Sequence, residues 1–123
     1  MLLNLSNHPS TKWGDKQKQT AIEEYGNIED MPFPNVLPSA SSDDIKILAA
    51  GYVKQIRQLA KAEVNQPFAL HIMGEMTLTF RIIKLLKKSK ITCVASTTFR
   101  DTIDHPDGSK TFKFEFIQFR AYG

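Results

Sequence analysis

Disulfide chemistry is excluded at once, because the chain holds a single cysteine, Cys93, and it falls inside a predicted strand where a small core residue is needed. The motifs that mark the common enzyme classes are missing too. There is no Gly-x-Gly-x-x-Gly, no lysine-bearing phosphate loop and no Gly-x-Ser-x-Gly turn. No pair of Cys or His stands at metal-ligand spacing, so neither a metal nor a cofactor is expected. No apolar run approaches the roughly 18 residues of a membrane span, and Met1–Ser6 lacks the basic start and long apolar stretch of a signal peptide. A cytoplasmic protein without a membrane partner is expected.

What is present fits one compact domain over residues 1–123, with 41% apolar residues and a net charge of +3. Much of the positive excess lies at Lys84, Lys87, Lys88 and Lys90, around the end of a predicted helix, where cations complement the helix dipole. Most of the eight phenylalanines fall in core-like positions. A surface that tracks extended DNA or RNA should instead interleave exposed aromatics with basic residues, so extended nucleic acid is not expected as a partner.

The pattern alternates strands and helices. Leu2–Ser6 reads as a first strand, closed by the polar loop Asn7-His8-Pro9-Ser10. A helix after Asp15 ends at Gly26-Asn27, and Ile28–Phe33 is a second strand before a proline- and serine-rich loop. Ile45, Leu48, Ala49, Tyr52, Val53, Ile56, Leu59 and Ala60 repeat at helical spacing behind a cap at Ser41 or Ser42. Phe68–Met73 is apolar with little alternation, as in a strand buried on both faces of a parallel sheet. A third helix carries Leu78, Ile82, Leu85 and Leu86, widened by Phe80 and Ile83. Ile91–Phe99 is a fourth strand, Asp104–Ser109 a turn with the hairpin pair Asp107-Gly108, and Thr111–Tyr122 a fifth strand. Its alternation slips at Phe116-Ile117, which predicts a β-bulge or burial on both sides. The expected fold is α/β: a Rossmann-like three-layer sandwich with a mostly parallel sheet, finished by a C-terminal antiparallel β-hairpin.

In such sheets ligands settle beside the carboxyl ends of the strands. The polar residues there are Asn7, His8 and Ser10 after the first strand, Gly74, Glu75, Thr77 and Thr79 after the third, and Ser96, Thr97, Thr98 and Arg100 on the fourth. Thr77 is the expected cap of the third helix, a role compatible with offering its hydroxyl to a phosphate. Gly74 serves a turn with positive φ, close packing or the approach of a phosphate to the backbone. Glu75 can orient a ribose hydroxyl or act as a base. Ser96-Thr97-Thr98 is either ordinary strand content or a set of neutral donors ending in the cation of Arg100. His71 reads as a satisfied core or interface histidine, His105 as an exposed turn residue, and Trp13 as a packing anchor rather than a cover for a purine.

The order of these elements, with Asn4–Ser10, the Gly-Glu-x-Thr-x-Thr helix start and Ser96-Thr97-Thr98-x-Arg100, resembles the CRISPR-associated Rossmann-fold (CARF-like) domains, in particular their small stand-alone members. The resemblance implies a homodimer that binds a cyclic oligoadenylate second messenger, or another small phosphate-bearing ligand, in antiviral defence. It further implies a metal-independent ring nuclease, a ribose 2′-hydroxyl attacking its neighbouring phosphate to leave a 2′,3′-cyclic phosphate end. Carried onto this chain, the catalytic residues would be His8, Glu75 and Arg100. The ligand-binding residues would be Asn7, Ser10, Gly74, Thr77, Thr79, Ser96, Thr97 and Thr98. Two further expectations stand beside it: a non-catalytic nucleotide-sensing or interaction module, and an unrelated small Rossmann-like enzyme acting on a nucleotide or sugar phosphate.

Overall fold

The computed structural model describes residues 1–123. Five strands form one sheet: β1 (Leu2–Ser6), β2 (Ile28–Pro32), β3 (Ala69–Met73), β4 (Thr92–Asp104) and β5 (Lys110–Ala121). Their order is β2-β1-β3-β4-β5. The first four run parallel and β5 returns antiparallel along β4. Three helices connect them, α1 (Asp15–Tyr25), α2 (Ser42–Ala62) and α3 (Met76–Lys87), and a short 3-10 turn, Ser10–Lys12, precedes α1.

Each helix is delimited by residues suited to the task. α1 stops at Gly26, whose φ of +90° suits a residue without Cβ. α2 starts with a reciprocal capping box: the Ser41 hydroxyl accepts from the Asp44 amide at 3.1 Å, and the Asp44 carboxylate accepts from the Ser41 amide at 2.9 Å. Between the two serines that the sequence offers as caps, geometry selects Ser41. The cap of α3 is Glu75, not Thr77: its carboxylate accepts from the amides of Thr77 and Leu78 at 3.0 and 2.8 Å. A carboxylate at this place also meets the positive end of the helix dipole.

Strand alternation sorts the core into two. Leu3, Leu5, Leu70, Ile72 and Cys93 face α2 and α3, where they meet Ala49, Val53, Ile56, Leu78, Ile82 and Leu86. Leu2, Ala69 and Val94 face the other way, onto Trp13 and Ala21 beside α1. Burial pushes the Cys93 thiol up to about 11, in keeping with a core residue without nucleophilic character.

Three expectations change. Phe80 does not widen the buried stripe of α3; it is 67% exposed, because it points away from the sheet. β4 continues to Asp104, well past Phe99, since β5 pairs with it along its whole length. Four of the eight phenylalanines, Phe80, Phe99, Phe112 and Phe114, are exposed rather than in the core. The last three lie on a β4–β5 arm that β3, which pairs with β4 only as far as Val94, does not support. The bulge falls where the alternation slips: Thr97 pairs with Gln118 and Thr98 with Phe116, so Ile117 is the extra residue.

Gly74 is explained by close packing. A Cβ at this position would overlap the ring of Phe33, which is itself 8% exposed and part of the main core. Gly74→Ala should therefore cost about 1–3 kcal/mol in chemical denaturation, as overpacking of a core does. In Phe33→Leu the same alanine should cost less, and an equal cost in both backgrounds would exclude the Phe33 contact as its cause.

Candidate functional site

In the strand order β2-β1-β3-β4, the chain leaves β1 toward one edge and β3 toward the other, and their following loops depart to opposite faces. Ligand crevices form at such switch points. Here the crevice is a cavity of about 440 Å³ lined by Asn7, His8, Lys12, Gln17, Ser96 and Thr98, with Trp13, His71 and Met73 as its floor and wall.

Behind this cavity a polar row crosses four strands on the α1 face. Register places Asn4 beside Asp30 on one side and His71 on the other. The Asn4 amide donates to Asp30 Oδ1 at 2.8 Å and to the His8 carbonyl at 2.9 Å. Both are acceptors, so the Asn4 oxygen is the end that faces Ser6 Oγ and His71 Nδ1, each at 2.8 Å. His71 Nδ1 must then carry the proton. Its Nε2 is left bare and accepts from Ser96 Oγ at 2.5 Å.

The surroundings fix this state. His71 is 2% exposed, and burial pulls its pKa down to about 4, so the ring is neutral at pH 7. Trp13 and Phe119 meet the ring edge-on at centroid distances of 5.2 and 5.7 Å. Trp13 is itself buried and donates its indole proton to the His8 carbonyl at 3.1 Å, which makes it a packing anchor. Burial raises the Asp30 carboxyl, but bonds from the Ser10 hydroxyl, Asn4 and the Ser10 amide outweigh it and hold the group below its ordinary value.

The residues singled out from sequence divide among several places. Asn7, His8, Ser96 and Thr98 share the switch-point cavity. Ser10 lies behind it, donating through its amide and hydroxyl to the Asp30 carboxylate at 2.9 and 2.7 Å. Thr97 turns to the opposite face and bonds the backbone of Gln118 at the bulge. Arg100 lies further along the arm, its guanidinium 4.2 Å from the centre of the Phe112 ring. Gly74 and Thr79 line a separate apolar cavity of about 670 Å³ under Met76 and Phe80. Thr77 and Glu75 are engaged with each other, the threonine hydroxyl donating to the Glu75 carboxylate at 2.7–2.8 Å. Bonds from the Leu78 amide and from the Thr77 hydroxyl and amide hold the Glu75 carboxyl below its ordinary value, which weakens it as a base. The α3 amides expected to face a phosphate are therefore already taken. Asn4, Lys12, Gln17 and Asp30 are the members of the site that sequence reasoning missed. The one available signal was the polar alternation Asn4, Ser6 inside an otherwise apolar strand.

The helix starts differ in the same sense. α2 and α3 are capped by their own side chains, whereas α1 begins at Gly14 without a side-chain cap, and Gly14 lines the switch-point cavity beside Lys12. Neutral hydroxyls, a lysine and helix amides there form a setting for an anionic ligand.

Fold and cavity thus define a mixed α/β protein with a polar site at the switch point of a mostly parallel sheet. Residues 1–120 match the model of the Uncharacterized protein MJ1673 family, and the chain belongs to that family. No curated protein and no solved structure matches it. No helix is long and apolar enough to cross a membrane.

The buried histidine makes stability depend on pH. Unfolded, His71 takes up a proton near pH 6.5; folded, it does so only near 4, so between these values the unfolded chain binds more protons. Stability on the order of 3 kcal/mol, complete above pH 6.5, should be lost as pH falls to 4. Denaturation midpoints across this range should show a slope that is reduced in His71→Gln. Equal slopes in the two proteins would remove His71 as its source. Separately, Asn4→Leu strands His71 Nδ1, whereas Ser6 Oγ keeps its bonds to the His8 backbone, and the change should cost about 1–3 kcal/mol by the same measurement.

Proposed function

We propose that this protein is a Rossmann-like, CARF-like domain that acts as a homodimer, binds a cyclic oligoadenylate of the kind used in CRISPR-associated defence, and cleaves it without a metal. The supporting observation is the convergence of Asn7, His8, Lys12, Gln17, Ser96 and Thr98 on one cavity at the switch point, beside the uncapped start of α1. Internal attack of a 2′-hydroxyl on its phosphate requires in-line positioning, a proton acceptor and donors for the phosphorane oxygens, and a histidine, a lysine and hydroxyls are side chains suited to these tasks.

In this reading Lys12 and the Thr98 hydroxyl hold the scissile phosphate, and His8 stands at the loop edge for proton transfer to the leaving oxygen. The cavity is smaller than a ring of several nucleotides, so the remainder of the ligand extends along the arm. There Phe114 is 65% exposed and shares a face with Thr98 and Arg100. An exposed ring offers adenine a stacking partner, and Arg100, already stacked on Phe112, supplies charge at a neighbouring phosphate. Glu75 lies outside this cavity as the cap of α3 and has no part in the reaction as proposed.

The test is incubation with cyclic tri-, tetra- and hexa-adenylate in EDTA, with products resolved by chromatography and mass spectrometry. One ring should open to linear species ending in 2′,3′-cyclic phosphate, with one ring bound per dimer. Lys12→Ala should weaken binding by about 1.5–3 kcal/mol, as loss of a charge-assisted bond does. Tight binding without turnover would replace the enzyme by a sensor. One ligand per subunit, with a mononucleotide or sugar phosphate preferred over every ring, would overturn the messenger altogether.

A further inference from the structure

The polar row ends in a hydroxyl rather than in solvent. Ser96 Oγ lies at 2.5 Å from the bare nitrogen of a neutral imidazole whose other nitrogen is anchored on the Asn4 oxygen. We propose that Ser96 is a reactive hydroxyl, with His71 as its proton acceptor and Asn4 as the group that fixes the ring, and that this relay serves reactions at phosphorus in the switch-point cavity.

Four observations carry the assignment. The proton inventory of Asn4 leaves one tautomer, in which Nε2 can only accept, and at 2.5 Å from Ser96 Oγ it takes the hydroxyl proton in preference to Met73 Sδ, 3.5 Å away. Trp13 and Phe119 pack on the ring edge-on and prevent it from turning away. Gln17 Nε2 donates to Ser96 Oγ at 3.3 Å, a bond that strengthens as negative charge develops on the oxygen. Ser96 is half-buried and lines the cavity together with Lys12, so a phosphorus centre held by the lysine comes within reach of the hydroxyl. A nucleophile hydrogen-bonded to a base that is oriented by a third group is the general form of an activated hydroxyl. The desolvated ring is a weak base while the cavity is empty, and an anionic phosphate beside it favours the imidazolium and raises its proton affinity.

The simplest reaction is with a small phosphorofluoridate. The Ser96 Oγ–P bond forms, the P–F bond breaks and fluoride leaves with the electron pair. The Ser96 proton moves to His71 Nε2, and the imidazolium then loses it to water. For a cyclic oligoadenylate, which rests on the function proposed above, the pair acts as a base. The 2′-hydroxyl proton passes to Ser96 Oγ while the Ser96 proton passes to Nε2, the O2′–P bond forms and the P–O5′ bond breaks. O5′ takes its proton from His8, which regains one from water, and the His71 imidazolium returns a proton to that water. Ser96 touches the reacting atoms; His71 and Asn4 act through it.

The test treats the full chain with diisopropyl fluorophosphate and locates the adduct by peptide mass spectrometry. Labelling is expected at Ser96, absent in Ser96→Ala, and slower by about a hundredfold or more in a His71→Gln protein that still melts cooperatively. In the wild type the rate should be flat near neutrality and fall as pH drops toward about 4, where His71 protonates. This second measurement decides the matter if His71→Gln does not fold. The other ionisable groups facing the cavity are His8 and Lys12, with Asp30 behind Asn4. The inflection should persist in His8→Gln and Lys12→Gln. No adduct at Ser96, an adduct spread equally over several serines, or an unchanged rate in His71→Gln would overturn the relay. Labelled Ser96 with every adenylate ring intact would keep the relay and remove the ring nuclease. Rings cleaved at full rate by Ser96→Ala would do the reverse.

Discussion

A single hydrogen-bonded row organises this molecule. Asp30, Asn4 and His71 lie side by side on β2, β1 and β3, Ser96 sits two residues beyond Val94, the register partner of His71 on β4, and hydrogen bonds join each to the next. Central strands of a parallel sheet are ordinarily apolar on both faces, and an unpaired polar atom there costs about as much as several good packing contacts contribute. Asn4 and His71 are tolerated because the row satisfies them, and the row exists only in one register. A slip of β3 against β1 by one residue would turn His71 toward α2 and α3 and leave the Asn4 oxygen without the imidazole. The row thus ties sheet alignment to the chemistry of the cavity it backs.

The aromatic residues of the α1 face close that row from above. Trp13, His71, Phe119 and Phe116 form a continuous series, with Phe116 and Phe119 at a centroid distance of 4.8 Å. The series does not end with the core. Beyond the bulge the arm carries Phe114 opposite Arg100 and Phe112 opposite Thr102, on the face that holds Thr98 and Ser96. Past Thr98 the arm is a two-stranded ribbon, a structure of marginal stability by itself in water. Its anchorage comes from the Phe116–Phe119 packing and from Tyr122, whose hydroxyl donates to the Ile72 carbonyl at 2.5 Å. An aromatic face held in water at the mouth of a polar cavity is consistent with the proposed ligand, which carries both bases and phosphates.

The fold was legible in the sequence where one force dominated. Leu2–Ser6, the stripe Ile45–Ala60 and the Asp107-Gly108 turn each carry a periodicity or a turn requirement that no neighbour opposes, and element order, hairpin and bulge follow. The site was legible only in part. Asn7, His8, Ser96 and Thr98 were found because residues at strand ends face the crevice. Glu75 and Thr77 were misassigned because Asp, Ser and Thr dominate caps, so a glutamate was read as a free carboxylate and the threonine as the cap. His71 was recognised as a satisfied core histidine, yet its partners depend on lateral register between β1, β3 and β4, which no local pattern encodes. The phenylalanines of the arm alternate as a buried strand would, and nothing in that alternation tells a core from an extended ribbon.

The three helix starts show why the cavity between β1 and β3 is the favoured place for an anion. Each start concentrates positive potential through its unpaired amides. At α2 that potential is answered by Asp43 and Asp44 and at α3 by Glu75, each a carboxylate of the helix's own first turn or cap. α1 has Asp15 in its first turn, but its Gly14 cap offers no side chain, and Lys12 stands on the approach. At α2 and α3 an incoming phosphate would have to displace a carboxylate that accepts from backbone amides, whereas no such bond is made at the start of α1. The apolar cavity under Met76 and Phe80, although larger, has only Thr79 and the rim lysines to offer a charged group. Desolvating a phosphate there would cost more than those groups return. Polarity rather than the number of cations therefore selects the smaller cavity, where the Ser96 hydroxyl and His71 also lie.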